Sequence, residues 1–168
     1  MMISFLSALL YLFGCLGGCM QPSSQMLTSQ QKQLATDVKN VTKDYLVKNV
    51  GNIGTRGKMF CVYTVLDIEP QSSGVNEYVF TLCQEYYLSN GELKDGTGTD
   101  LPVALFLQRS DDGYKVVDSK IPGPGGEYWA DIKKFFPEKT FAEIRSLTAN
   151  YAQGQKEAEL EAKAYYGK

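Results

Sequence analysis

The sequence predicts an α+β fold: an N-terminal helix packed on a meander of about four antiparallel strands, followed by C-terminal helices. Three observations carry this. Leu34, Val38, Val41 and Tyr45 recur on one helical face. From Met59 to Lys120 the chain is rich in β-branched and aromatic residues and is cut into segments by turn sequences. Beyond Pro122 helical spacing returns. Runs of strands flanked by helices, rather than alternating with them, mark an α+β architecture. The 168 residues suffice for one core, which is assigned to residues 28–168. Residues 1–18 and 19–27 are set apart from it.

The first helix starts at Thr28, because Thr28 and Gln31 have the spacing of a capping box. Gly51 is expected to end it in the left-handed conformation. Met59 to Ile68 and Val75 to Leu88 are strands, separated by Pro70-Gln71-Ser72-Ser73-Gly74. Asn90-Gly91 is a turn, and residues 95–100 are expected to be a flexible loop. Val103 to Arg109 and Tyr114 to Lys120 are two further strands. The Asp111-Asp112-Gly113 between them is a hairpin turn in which glycine supplies positive φ. A short helix is expected over Glu127 to Phe136, stopped by Pro137. A longer one should run from Glu138 or Lys139 toward Tyr166, weakened at Gly154. Its second half is mostly Ala, Glu and Lys, with little to bury.

The extreme N-terminus reads as an address. Ile3 to Phe13 is nearly continuous apolar sequence, too short to span a bilayer, and small residues follow it. Leu16-Gly17-Gly18-Cys19 resembles a bacterial lipobox, which implies that Cys19 is the acylated first residue of the mature chain. Cys15, in Leu12-Phe13-Gly14-Cys15, is a poorer alternative because bulky Phe13 lies beside the cleavage site. An uncleaved anchor and a buried apolar helix are the other readings of this segment.

Composition narrows the function. The net charge is -2 with no basic stripe, which argues against a nucleic-acid partner. Histidine is absent, so Ser-His-Asp and Cys-His catalysis and histidine-based zinc sites are impossible within this chain. The cysteines have no Cys-x-x-Cys spacing. Residues 95–100 hold two carboxylates and alternate glycines, a poor calcium loop. Glu85, Asp118 and Glu127 show no spacing that separates acid–base chemistry from solvated charge. No metal, no cofactor and no catalytic residue is therefore expected, and the chain is read as a non-enzyme.

A hairpin centred on Ser72 pairs Cys61 with Cys83 and Asp67 with Glu77. Opposed antiparallel residues lie about 4.5–5.5 Å apart at Cα, within disulfide range. Two small buried hydrophobes are the alternative for that pair. The same register puts Phe60, Val62, Leu66 and Ile68 on one face with Phe80, Leu82 and Tyr86. It puts Tyr63, Val79 and the cysteines on the other. Tyr86, Tyr87, Tyr128 and Trp129 form either an interaction surface or ordinary core and rim packing.

Five segments also carry a resemblance: Gln84-Glu85-Tyr86-Tyr87, Asn90-Gly91-Glu92-Leu93-Lys94-Asp95-Gly96, Pro102-Val103-Ala104-Leu105, Asp112-Gly113-Tyr114-Lys115-Val116 and Tyr128-Trp129-Ala130-Asp131-Ile132-Lys133-Lys134-Phe135-Phe136-Pro137. Together they resemble small extracytoplasmic domains of Gram-positive bacteria, which occur as lipoproteins and at the ends of sensor-type membrane metalloproteases. That resemblance implies no catalytic residue. The element order is also compatible, by analogy, with cystatin-like or nuclear-transport-factor-like cones. The expectation is a lipid-anchored module on the extracytoplasmic face of the cell membrane that binds an envelope protein. The alternative is a carrier holding a small apolar ligand in a cone-shaped cavity.

Overall fold

The computed structural model describes residues 26–54 and 56–168. Cys15 and Cys19 lie outside the described residues. The order is α1 (Ser29–Tyr45), β1 (Lys58–Gln71), β2 (Gly74–Ser89), β3 (Glu92–Ser110), β4 (Gly113–Lys120), α2 (Tyr128–Phe135), α3 (Phe141–Ala149) and α4 (Ala152–Tyr166). The strands form one antiparallel meander in the order β1-β2-β3-β4. The α+β class and the helix, meander, helices order stand as the sequence predicts.

α1 begins with the expected capping box: Thr28 Oγ1 accepts from the Gln31 amide, and the Gln31 side chain accepts from the Thr28 amide. Directly after it, Leu46–Val50 form a wider π-helical turn. Gly51 closes this turn, but in the right-handed region at φ −77°, not the left-handed one. Glycine is required here for space, since a Cβ would sit 2.6 Å from Met59 Cγ and 2.9 Å from Cys61 Sγ.

α1 covers one sheet face. Val38, Leu46 and Val50 pack there on Cys61, Ile68, Val75, Val79, Cys83 and Leu105. α2 and α3 cover part of the other face, where Ile132, Phe136 and Ile144 meet Leu66, Tyr78 and Phe80. α4 covers the rest, with Ala158 and Ala162 on Phe60, Val62, Leu82 and Tyr86. With helices on both sides, both faces of every central strand can be apolar.

β-bulges correct the simple register. Cys61 pairs with Cys83 as predicted, but the pairing shifts between Val65 and Asp67. Asp67 therefore opposes Tyr78, and Glu77 opposes Ile68. One extra residue reverses the alternation beyond it, so Ile68 joins the cysteine face rather than the Phe60 face. Asp67, at the bulge, is nearly buried. It accepts from Gln31 Nε2 at 2.9 Å and pairs with Lys139 Nζ at 2.6 Å, tying α1 and the turn before α3 to β1.

Residues 95–100 are not a loop but the first half of the long strand β3. Gly96 and Gly98 permit this. A Cβ at those positions would lie 2.4 Å from Glu85 Oε2 and 2.3 Å from Gln84 Oε1. Asn90 and Gly91 both take positive φ in the β2–β3 turn, 53° and 78°.

The expected long C-terminal helix is two helices broken at Asn150–Tyr151. Tyr151 turns inward at the break. Its ring packs edge-on against Phe80 with centroids 5.2 Å apart, and Gly154 makes room for it, since a Cβ there would meet the ring at 2.6 Å. α4 does bury a face, contrary to its composition. Ala158 and Ala162 are fully buried because their small side chains let the helix lie close on β1 and β2.

Candidate functional site

β1 forms one edge of the sheet. β1 has 14 residues and a single strand neighbour, whereas the opposite edge strand β4 has 8. Cys61 and Cys83 are directly opposed, with Cα atoms 4.0 Å apart and sulfurs at bonding distance, 2.02 Å. Such close spacing marks a pair that does not exchange backbone hydrogen bonds. The N–H and C=O of Cys61 therefore point away from β2, and by alternation so do those of Tyr63 and Val65. Val62, one residue on, faces β2: its carbonyl accepts from Thr81 Oγ1 at 3.0 Å.

Two helices wall this edge. Helical spacing aligns Lys39 and Lys43 on the α1 side, beside buried Val38. On the α4 side it aligns Glu157 and Glu161, flanking Ala158 and Ala162. Between the walls lies an open cleft of about 360 Å³ whose floor is Cys61, Val62, Tyr63 and Val65. A second cleft of about 290 Å³ continues toward Lys58 and shares Lys43, Cys61 and Glu161 with the first. Lys43 Nζ and Glu161 Oε1 pair across the strand at 2.5 Å where the two clefts meet. Cys61, beneath that pair, has no exposed surface. Tyr63, Thr64 and Val65 are half-buried, and Tyr63 and Val65 line the cleft. Tyr63 also donates from its hydroxyl to the Lys39 carbonyl at 3.2 Å, holding α1 at a set distance from the strand.

The predicted aromatic set does not form one surface. Tyr86 is 8% exposed and belongs to the core beneath α4, edge-on to Phe60 with centroids 6.0 Å apart. This corrects its assignment to an interaction surface. Tyr87 is half-buried and lies beneath the Arg56 guanidinium, 6.0 Å from the ring centroid. Tyr128 and Trp129 are half-buried against a different core cluster, with Phe136 and Ile144. Their rings meet edge to face at 5.7 Å, and Arg145 stacks on Trp129 at 4.5 Å.

The three carboxylates considered for acid–base work are also dispersed. Glu85 is buried and accepts from the amides of Arg56, Gly57 and Thr97, which fastens the loop before β1 to β3. Asp118 is exposed and pairs with Lys120 at 2.8 Å. The hydrogen bonds from Lys120 and the Ser119 amide pull its carboxyl below the ordinary value. Glu127 is exposed at the start of α2.

Sequence reasoning missed Glu77. It lies fully buried beneath α1, with Oε2 accepting from Thr42 Oγ1. Loss of water around it pushes its pKa from 4.5 up to about 7, against the opposing effect of the Thr42 hydrogen bond. Burial, and then the nearby Glu77 charge, also push the Tyr63 phenol upward. Its position was readable: it shares the parity of Val75 and Val79 on the α1 face. Being enclosed, Glu77 cannot reach a substrate. Among the described residues no group of three or more Asp, Glu, Cys or His side chains can hold a metal ion.

Comparison with protein-family models, with curated proteins and with solved structures gives no match.

Proposed function

We propose that the chain is a non-catalytic interaction module of the extracytoplasmic face, anchored to the membrane through acylated Cys19. In this reading it binds an envelope protein by accepting a segment of it as an extra strand on β1. The observation that carries the reading is the outward-pointing backbone at Tyr63 and Val65, set in a cleft between α1 and α4. A sheet edge offers main-chain hydrogen bonds to any extended segment, and flanking pockets supply selectivity. Native proteins otherwise cover or shorten such edges. The resemblance to extracytoplasmic domains of Gram-positive bacteria and the lipobox-like N-terminus support the location.

The test places photo-crosslinking residues at Thr36 and Glu157, on the two walls, and at Asp112, in the β3–β4 turn, in the native cell. Protein adducts from the wall positions and not from Asp112 support the module. Adducts from none of them, or equally from Asp112, contradict it. Fatty-acid labelling that vanishes in Cys19→Ser supports acylation at Cys19, labelling that persists in the variant rejects Cys19 and moves the anchor to Cys15, and no labelling of the wild-type chain rejects the anchor.

A further inference from the structure

The geometry points to a particular partner for the β1 edge: an extended segment whose side chains alternate acidic and basic. This rests on the strand-docking reading and deepens it. Side chains on a strand alternate between the two sides of its sheet. In a strand laid beside β1, residues opposite Cys61, Tyr63 and Val65 would point to the α1 side. Those between them, opposite Val62 and Thr64, would point to the α4 side. The α1 wall carries Lys39 and Lys43, and the α4 wall carries Glu157 and Glu161. Lys39 is exposed and makes no ion pair with a described residue, and Glu157 is exposed, accepting from Gln153 at 2.7 Å. The walls thus present opposite charge to successive residues of an incoming strand. The alternation holds for a parallel or an antiparallel addition, so strand direction does not enter.

The Lys43–Glu161 pair then acts as a latch. It crosses the edge above Cys61 and covers the outward backbone groups there. An alternating segment supplies an acidic group to Lys43 and a basic group to Glu161 on adjacent residues, replacing both halves of the pair. A partly exposed ion pair contributes little by itself, so opening it to admit the segment costs little. A segment bearing one sign of charge satisfies one wall and opposes the other. Opposite charges in direct cross-strand contact stabilise a sheet and like charges destabilise it.

The experiment uses the full acylated chain in detergent micelles and two fluorescein-labelled peptides of equal composition. One is Thr-Glu-Lys-Glu-Lys-Glu-Thr and the other Thr-Glu-Glu-Glu-Lys-Lys-Thr. Fluorescence anisotropy gives affinity, and NMR hydrogen exchange at the Tyr63 and Val65 amides reports strand addition. The alternating peptide should bind on the order of tenfold more tightly than the block peptide and slow both amides. High salt should shrink that preference, and Lys39→Glu should reduce it with the melting temperature kept. If both peptides protect the amides equally, the charge pattern is wrong and strand docking stands. If neither peptide changes the two amides, both the pattern and the docking reading fall.

Discussion

Replacing Glu77 by Gln should make the protein more stable above neutral pH and flatten its pH dependence. Glu77 sits between β2 and α1 with no exposed surface. Its Oε2 accepts from Thr42 Oγ1 at 2.5 Å, and its Oε1 has no hydrogen-bond partner among the described residues. Burial favours the neutral acid and sets the folded pKa at about 7, against 4.5 for the solvated group. Between those two values the folded chain holds a proton that the unfolded chain has released. Stability is therefore greatest at low pH within this balance and declines as pH rises toward the folded pKa. Once Glu77 is ionised in both states, the loss amounts to about 3 kcal/mol, at roughly 1.4 kcal/mol for each pH unit between the two values. Gln keeps an oxygen to accept from Thr42 and carries no charge. Urea unfolding from acid to alkaline pH measures the effect. Because the chain has no histidine, few other side chains titrate in that window. Glu143, also pushed upward by burial, is present in both proteins and cancels in the comparison. The two stabilities should converge at acid pH and separate by about 3 kcal/mol in favour of Glu77→Gln at alkaline pH. Parallel curves would refute the reasoning and show that Glu77 is solvated or paired in the folded state.

Two further outcomes follow from the packing. Reducing the Cys61–Cys83 bond, which closes a sequence separation of 22 residues, should lower stability by about 3 kcal/mol on chain-entropy grounds. Coincident unfolding curves with and without reductant would reject that contribution. Ala158→Leu should destabilise by about 1–3 kcal/mol, because the site is fully buried against Phe60 and Leu82. Leu160→Ala, on the same helix but 64% exposed, should stay within about 0.5 kcal/mol in the same thermal melt.

Features that depend on short-range chemistry were legible in the sequence. The capping box at Thr28, the Asn90-Gly91 turn and the Asp111-Asp112-Gly113 hairpin each need a few adjacent residue types. The Cys61–Cys83 register follows from turn position alone. What the sequence hid depends on long-range contact. The bulge beside Leu66 moves Ile68 across the sheet, and no local signal marks it. Gly96 and Gly98 imitate a loop, yet they are there to clear the side chains of Glu85 and Gln84 on the neighbouring strand. Ala158 and Ala162 look like solvated helix by composition and become core because α4 lies close. The cleft along β1 was illegible for the same reason: Lys39, Tyr63 and Glu157 are far apart in sequence and meet only around β1.

Whether β1 presents an open edge is decided by native-state amide exchange on the unliganded protein. Exchange should alternate along the strand, with the Val62 and Thr64 amides slow because they pair with β2, and those of Tyr63 and Val65 much faster because they point into the cleft. Tyr63 and Val65 amides as slow as those of Val62 and Thr64 would show that the edge is already covered and closed to an added strand.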